Sequence, residues 1–300
     1  ARLGRKPLAK LISTARARKV QHHYAVIGNG SPIRRHTEHQ ARLLEAELRE
    51  SGVDATCAVA MRYWHPFTDE AIDRLEAAGC DEYVLLPLYP QYSFTTTGSS
   101  LNEWTRALAQ RGLGRQCYTI NDFYKNDLYL AAAVERVDEA LTRMAEAGAW
   151  PQDDVELVFS AHSVPLSVIE RGDPYQQQIE ETVALVLQRG GWPLRHRLCY
   201  QSKVGASKWL QPSLRSTVRK LGAAGIKRVC VVPISFVSDH VETLGEINHE
   251  ARELAASVGI EQFEMAAGLN GSPLFIAALV QLVRQAIGVQ AEDERLIAAD

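Results

Sequence analysis

The chain has 300 residues, of which 46% are apolar and 23% charged, and its formal net charge is −3. This length suits one large domain or two ordinary ones, and the composition is typical of a globular protein. No apolar run approaches the ~18–20 residues of a spanning helix, and no apolar leader segment opens the sequence, so we expect a cytoplasmic protein.

Basic residues are concentrated at the start of the chain. Nine Lys or Arg residues precede the first acidic residue, Glu38, and apolar residues are interleaved with them. This segment is either a solvated helix face or a peripheral contact with an anionic membrane surface. Nucleic acid is not expected as a partner, because the rest of the chain is acidic and no binding motif is present.

The five cysteines are scattered and form no CxxC pair. Most of them lie in or beside apolar runs, so we interpret them as reduced thiols of the core. A zinc or iron–sulfur site built on cysteines is therefore not expected.

Short apolar runs alternate with longer helical patterns. The predicted strands are Ala55–Ala60, Tyr83–Leu88, Cys117–Ile120, Val155–Phe159, Arg197–Tyr200, Val229–Ile234 and Phe263–Ala266. The predicted helices are Glu38–Glu50, Asp69–Ala78, Leu101–Gln110, Leu128–Ala147, Tyr175–Gln188, Lys208–Leu221, Asp239–Ser257 and Leu274–Ile287. Continuous apolar strands between helices predict parallel sheets covered on both faces, an α/β fold.

The length favours two such halves. We predict an N-terminal α/β lobe over residues 1–148, a C-terminal α/β lobe over 149–270, and a C-terminal helix within 271–300 that packs back on the first lobe.

Polar motifs follow five of the predicted strands. They are Met61-Arg62-Tyr63-Trp64-His65-Pro66, the Tyr89–Ser99 stretch, Ser160-Ala161-His162-Ser163, Gln201-Ser202-Lys203-Val204-Gly205, and Ser238-Asp239-His240-Val241-Glu242. Parallel α/β sheets bind their ligands at the carboxyl ends of the strands. The coincidence of five motifs at such ends predicts a binding cleft.

The last of these motifs begins a run of acidic residues. Asp239, Glu242, Glu246 and Glu250 are spaced by three, four and four, which places them along one helix face. Like charges at this spacing destabilise a helix by roughly 0.2–0.5 kcal/mol per pair. Folding gains nothing from this arrangement, so we expect a site that moves protons or cations.

Two imidazoles are candidates for proton chemistry. His162 follows a predicted strand among small residues, and His240 precedes Glu242. A neutral imidazole beside a carboxylate accepts protons well near neutral pH. Aromatic residues gather in the same motifs and suit a large, flat, apolar ligand, whose carboxylates Arg62 and Lys203 could bind. The aromatic residues are Tyr63, Trp64, Tyr89, Tyr92, Phe94, Trp209 and Phe236.

At these motifs the chain resembles the ferrochelatases of bacterial type, which insert ferrous iron into protoporphyrin IX in the last step of haem synthesis. The resemblance runs in order from about Lys6 to Ile287. Further motifs that carry it are Ile27-Gly28-Asn29-Gly30-Ser31-Pro32-Ile33, Thr96-Thr97-Gly98-Ser99-Ser100 and Arg171-Gly172-Asp173-Pro174-Tyr175.

The resemblance implies two flavodoxin-like lobes with a porphyrin cleft between them. It implies that His162 is the active-site histidine and Glu242 its carboxylate partner, with Glu246 and Glu250 behind them in a polar track. Iron would meet His162, Glu242, Glu246 and Glu250. It implies that Arg62, Tyr63, Trp209 and Phe236 line the porphyrin pocket, and we add Tyr92 and Lys203 to the predicted pocket for their aromatic and basic side chains. Roles for Asp239 and His240 stay open, and Asp239 is equally suited to cap the helix.

The chain also departs from the family. The family's first strand is absent, and we expect residues missing upstream of Ala1. Phe94 stands where some relatives supply an iron–sulfur cysteine, so no cluster and no cofactor beyond the Fe²⁺ substrate is predicted.

Three rival functions stay open. They are a coproporphyrin ferrochelatase or other tetrapyrrole chelatase, a non-catalytic porphyrin or haem carrier, and a two-lobed binding protein of periplasmic type. The choice between monomer and homodimer, and peripheral attachment to the inner membrane, are not decided by the sequence.

Overall fold

The computed structural model describes residues 27–28, 30–148, 155–203, 205 and 207–289 of the chain. The basic segment on which the membrane prediction rests falls almost wholly outside the described residues, as does the predicted junction between the two halves after Gly148.

Helices and strands alternate along most of the chain. They are α1 (Ile33–Glu50), α2 (Thr68–Ala77), β1 (Glu82–Leu85), α3 (Thr97–Arg111), β2 (Gln116–Thr119), α4 (Asp127–Glu146), β3 (Val155–His162), α5 (Leu166–Ile169), α6 (Tyr175–Gly190), β4 (Arg195–Gln201), α7 (Leu214–Ala223), β5 (Arg228–Val232), a π-helix (Glu242–Ala251), α8 (Arg252–Ser257), β6 (Gln262–Met265) and α9 (Pro273–Ala286).

The C-terminal half contains a parallel sheet of four strands in the order β4-β3-β5-β6. Successive residues of β3 face opposite sides, so Val158 packs beneath α7 and α8 while Leu157 and Phe159 pack towards α4, α6 and α9. Both faces are therefore covered, which explains why the strand sequences are continuously apolar.

The N-terminal half has a smaller sheet, in which β1 and β2 pair in parallel. Its core lies between α2 and α3, where the rings of Tyr83 and Trp104 pack edge to face at 5.6 Å. The last helix, α9, packs against α1 and α4 of this half of the chain.

The strand predicted over Ala55–Ala60 is wrong among the described residues, where this segment pairs with no strand. Side chains of α1 take up backbone groups that a ladder would use. Cys57 N–H donates to Glu45 Oε2 at 2.7 Å, and Arg49 Nε donates to the Ala55 carbonyl at 2.9 Å.

The helix predicted over Lys208–Leu221 begins later, at Leu214. Pro212 lacks an N–H to donate, and Ser213 caps the helix by accepting the Ser216 N–H at 3.2 Å. The residues before it pair instead with the loop after β3, where Leu210 N–H donates to the Val164 carbonyl at 3.1 Å.

The helix predicted over Asp239–Ser257 is only partly α-helical, because Glu242–Ala251 forms a π-helix. A π-helix closes its hydrogen bonds from i to i+5, so its turn is wider than that of an α-helix. Residues four apart remain neighbours on one side, and Glu242, Glu246 and Glu250 therefore still follow one another along the helix. Single π-turns are frequent at functional sites, and this one extends over ten residues.

Candidate active site

His162 lies at the carboxyl end of β3, inside the larger sheet. Its backbone N–H donates to Ser235 Oγ at 2.8 Å, and its carbonyl accepts from the Tyr175 hydroxyl at 2.9 Å. The pairing of β3 with β4 places it opposite Gln201. Because both of its backbone polar groups are held, the fold sets the position of the imidazole.

The tautomer of His162 follows from its hydrogen bonds. Nδ1 lies 2.6 Å from the Ser163 carbonyl oxygen and, since a carbonyl only accepts, this nitrogen carries the proton. Nε2 then bears the lone pair and lies 3.7 Å from Glu242 Oε2. The side chain is 37% exposed, so a substrate can reach it.

A second imidazole approaches the same carboxylate. His240 Nδ1 lies 3.1 Å from the Ser238 carbonyl oxygen, and its Nε2 lies 3.7 Å from Glu242 Oε2. The Phe236 ring packs beside both imidazoles, with its centroid 6.2 Å from that of His162 and 4.8 Å from that of His240. The structure thus brings together two lone pairs and one carboxylate.

Opposing effects act on the Glu242 carboxyl. Burial raises its pKa, while the neighbouring His240 and the charges of His162 and His240 lower it, as does Ser202. The lowering effects together prevail, so the pKa of Glu242 lies below its ordinary value. A carboxylate beside two imidazoles can stabilise a proton that either ring accepts.

The acidic side chains continue outward along the π-helix. Glu246 Oε2 accepts from Ser202 Oγ at 2.9 Å, just beyond the end of β4. Glu250 Oε2 lies 3.7 Å from Arg215 Nη1 on α7. The three glutamates therefore form a track from His162 towards the outer helix, which we call the glutamate track.

Asp239 is used differently. Its Oδ2 accepts from Asn270 Nδ2 at 2.8 Å, both of its oxygens lie 3.2 Å from the Gly268 nitrogen, and its own N–H donates to Asn270 Oδ1 at 2.9 Å. Gln40 of α1 donates to Ser238 Oγ at 3.0 Å and to the Asn270 carbonyl at 2.7 Å. These contacts, here called the Asp239 clasp, hold the start of the π-helix against α1.

Arg62 and Tyr63 lie in the N-terminal half, in an exposed loop. Arg62 Nε donates to Ser99 Oγ at 3.2 Å, and Tyr63 is 79% exposed. The Tyr89 ring is 38% exposed, yet the pKa of its phenol is raised, first by burial and then by the nearby Tyr63 and Glu242. Tyr89 therefore lies close enough to Tyr63 and Glu242 to feel the charge of both.

Three further residues of the predicted pocket occupy separate positions. Tyr92 is held through its backbone N–H, which donates to Gln178 Oε1 at 2.6 Å. Trp209 bridges to Pro165, and its buried indole N–H has no hydrogen-bond partner in the described part of the chain. Lys203 is exposed. Their role in binding a porphyrin stays a prediction.

No group of three or more His, Cys, Asp or Glu side chains arranged to hold a metal ion is found within the described residues. A concavity of about 720 Å³ lies along α4 between Ala131 and Glu146, away from His162. Its walls come from this one helix, so it does not enclose a flat ligand.

The comparisons with known proteins decide the family. A family model described as Ferrochelatase matches residues 2–287, nearly the whole chain. The chain belongs to the ferrochelatase family.

Relatives named ferrochelatase match over most of their length. The one from Gloeobacter violaceus is 45% identical over 289 residues, which cover 95% of this chain and 86% of the relative. Those from Cyanothece sp. and Geotalea uraniireducens are 47% and 44% identical, covering 94% and 93% of this chain and 72% and 85% of theirs. The protein is accordingly an enzyme, a metal chelatase of the lyase class, with a ferrochelatase function in haem synthesis.

Solved structures confirm the predicted fold class. SirB from Bacillus subtilis with Fe³⁺ superposes with a TM-score of 0.59 at 14% identity, covering 83% of this chain and 88% of that one. CbiX, described as the terminal enzyme for biosynthesis of siroheme in denitrifying bacteria, superposes at 0.55 and 15%, covering 86% and 94%. This ferrochelatase therefore has the two-lobed chelatase fold.

Three residues that contact the site were not among the predicted ones. Tyr175 and Ser235 hold the backbone of His162, and Ser202 binds Glu246. Tyr175 and Ser202 lie in motifs that carry the resemblance, but their contacts depend on chain crossings that a sequence pattern does not show. None of the described helices of this ferrochelatase is long and apolar enough to cross a membrane.

Proposed function

We propose that this ferrochelatase inserts Fe²⁺ into protoporphyrin IX, giving protohaem and releasing two pyrrole protons at a site centred on His162 and Glu242. One observation carries the proposal: the Nε2 atoms of His162 and His240 each lie 3.7 Å from Glu242 Oε2, at the carboxyl end of a buried strand.

Proton removal is the first task. A metal ion can bind the four pyrrole nitrogens only after the two N–H protons have left. His162 has its lone pair on Nε2, because Nδ1 donates to the Ser163 carbonyl. The ionised Glu242 stabilises the imidazolium that forms when His162 accepts a pyrrole proton, which is the usual arrangement of a general base and its partner.

Transport along the glutamate track is the second task. Its carboxylates lead from the His162 cluster to Arg215, a residue with a 61% exposed side chain. Carboxylate oxygens bind both protons and divalent cations, so this track suits the exit of protons or the entry of Fe²⁺. The basic Arg215 at its outer end tempers the negative potential there.

Bending of the macrocycle is the third task. A free porphyrin is flat, and its lone pairs point towards the ring centre, away from an approaching ion. Aromatic walls that fit a bent ring better than a flat one would favour the transition state. We assign this role to Phe236 and Trp209 on one side and to Tyr63 and Tyr92 on the other. Arg62 and Lys203 would bind the peripheral carboxylates.

Anaerobic turnover with Fe²⁺ tests the proposal. Insertion changes the Soret absorbance of the porphyrin, so the reaction is followed directly with protoporphyrin IX and with coproporphyrin, which carries more carboxylates. We expect efficient insertion into protoporphyrin. Faster insertion into coproporphyrin would reassign the substrate, and no spectral change with either would overturn the function.

The remaining expectations are part of the same proposal. We assign no cofactor beyond the Fe²⁺ substrate and no iron–sulfur cluster. We propose a cytoplasmic enzyme, monomeric or homodimeric, whose basic N-terminal segment contacts anionic lipid. Measurement of cluster absorbance, of mass in solution and of binding to anionic vesicles tests each of these points separately.

A further inference from the structure

A buried carboxylate joins the two halves of the chain near the active site. Asp173 precedes α6 and is only 5% exposed. Its Oδ2 accepts from Ser93 Oγ at 2.9 Å and from the Phe94 N–H at 2.7 Å, both in the loop after β1. Charge-assisted hydrogen bonds of this kind are strong. A buried carboxylate that loses its donors destabilises the folded protein, because its charge is then unpaired.

The other oxygen of Asp173 binds the first residue of α6. Oδ1 accepts the Tyr175 N–H at 3.0 Å, and the Tyr175 hydroxyl donates to the His162 carbonyl at 2.9 Å. One carboxylate thus stands between the loop that carries Phe94 and the residue that holds His162.

Neighbouring residues of α6 bind the same loop. Gln178 Oε1 accepts the Tyr92 N–H at 2.6 Å, and Thr182 Oγ1 accepts from Gln91 Nε2 at 3.1 Å. Gln178 and Thr182 are four residues apart on one face of the helix. The loop therefore lies along α6 and cannot shift without breaking buried hydrogen bonds.

The loop also presents aromatic surface. The rings of Tyr92 and Phe94 pack edge to face, with centroids 5.9 Å apart, and Phe94 is 42% exposed. We call these two rings the loop wall. Asp173 connects the loop wall with the residue that holds His162, because Oδ2 binds the loop and Oδ1 binds the Tyr175 N–H.

We propose that Asp173 is a positioning residue that fixes the loop wall relative to His162 and so holds the cleft at the width that bends the porphyrin. This inference rests on the proposed function of the site. A wall held at a fixed distance discriminates between a flat and a bent ring, whereas a wall that can move adapts to either.

The affinities of Asp173→Asn for a flat and a bent porphyrin test this proposal. Metal-free protoporphyrin IX is flat, and N-methylprotoporphyrin is bent by its alkyl group and accepts no iron. Asparagine keeps the shape of aspartate but replaces one acceptor oxygen with a donor, so one side of the link is lost. Gln177→Ala, an exposed change on the same helix, is the matched control.

We expect Asp173→Asn to weaken binding of the bent porphyrin by about tenfold or more and that of the flat one by less than about threefold. Gln177→Ala should change neither affinity. Equal losses for both porphyrins, or no loss, would show that Asp173 does not control cleft width.

A double-mutant cycle provides a second test that does not need the Asp173 variant to fold. Ser93→Ala removes one bond on the loop side, and Tyr175→Phe removes the bond to His162. If Asp173 connects the loop to Tyr175, the effects of Ser93→Ala and Tyr175→Phe on the ratio of the two porphyrin affinities are coupled. The effect of the double variant then differs from the product of the two single effects. Independent effects would overturn the proposal.

The two proposals fail in distinguishable ways. If the wild-type protein binds both porphyrins but inserts no iron, the proposed function is wrong, while the affinity ratio still decides the role of Asp173. If it inserts iron and the ratio does not change in the variants, only the positioning role is wrong.

Discussion

The two halves of the molecule hold the residues of the proposed cleft in different ways. The C-terminal half carries His162 at the end of a covered, four-stranded sheet and Glu242 at the start of the π-helix, and hydrogen bonds hold both backbone polar groups of His162. The N-terminal half has a two-stranded sheet and presents Arg62 and Tyr63 on an exposed loop. Groups that move protons need fixed geometry, whereas groups that grip a large ligand tolerate some freedom.

This contrast predicts that changes in the C-terminal half lower kcat and that changes in the exposed loop raise KM. Variants in both halves test it.

His162→Ala should abolish insertion, with kcat falling by about 10³-fold or more, because the group that accepts the pyrrole proton is gone. Porphyrin binding, measured by fluorescence quenching, should persist. His196→Ala is the matched control, since this histidine is exposed on β4 away from the cluster. Near-normal turnover in His162→Ala would contradict the assignment.

Glu242→Gln should lower kcat by roughly 10²-fold, because the amide cannot stabilise an imidazolium as a carboxylate does. The KM for porphyrin should change little. Glu253→Gln, an exposed change on α8, controls for loss of negative charge in general. A raised KM with unchanged kcat would place Glu242 in binding and weaken the contrast between the halves.

Asp239→Ala tests whether the clasp is structural. Removal of this carboxylate leaves the Gly268 N–H and the Asn270 amide without their acceptor, so we expect a loss of about 1–3 kcal/mol in the free energy of unfolding. Denaturant unfolding measures it. A variant of full stability that has lost activity would instead give Asp239 a role in the chemistry.

Tyr63→Ala should raise the KM for porphyrin about threefold to tenfold and leave kcat nearly unchanged, because the ring supplies apolar contact area and no proton. Steady-state kinetics with varied porphyrin measures this. Phe67→Ala, in the same exposed region, tests whether any aromatic residue there has such an effect. A fall in kcat alone would mean that the loop also shapes the reacting geometry.

The stability that Glu242 contributes should depend on pH. Its pKa is lower in the folded protein than in the unfolded chain, so folding favours the ionised form. The contribution is present above the unfolded pKa and is lost as pH falls through the folded one. The Tm difference between wild type and Glu242→Gln should therefore shrink as the pH falls below the ordinary glutamate pKa of about 4.3.

The effect on Tm should be small, because the Glu242 side chain is 31% exposed and solvent screens its interactions. A difference that grows as the pH falls below about 4.3 would contradict the sign of this shift.

Most of the sheet and the centre of the site could be predicted from the sequence. Strands such as Val155–His162 are continuously apolar because both faces are buried, and this pattern is local. Because ligands bind at the carboxyl ends of parallel strands, the sequence also predicted that His162, His240 and Glu242 lie close together. The structure places them there.

The two wrong predictions of secondary structure, one of a strand and one of a helix start, share a cause. Residues 55–60 have the apolar character of a strand, but a strand also needs a partner, and α1 side chains take its backbone groups instead. The helix expected from Lys208 starts at Leu214, because the chain before it pairs with a distant loop. In each case a contact between remote parts of the chain overrides a local preference.

The fold class, the spacing of the glutamates and the grouping of His162, His240 and Glu242 could be predicted from the chain alone, because periodicity and residue chemistry are local properties. The π-helix that carries the glutamates, the Asp239 clasp and the connection from the loop wall through Asp173 to Tyr175 became visible in the folded structure. Those features depend on which donors and acceptors lie next to each other in the folded chain. A buried polar group without a hydrogen-bond partner lowers the stability of the fold, so these pairings are strongly selected by folding.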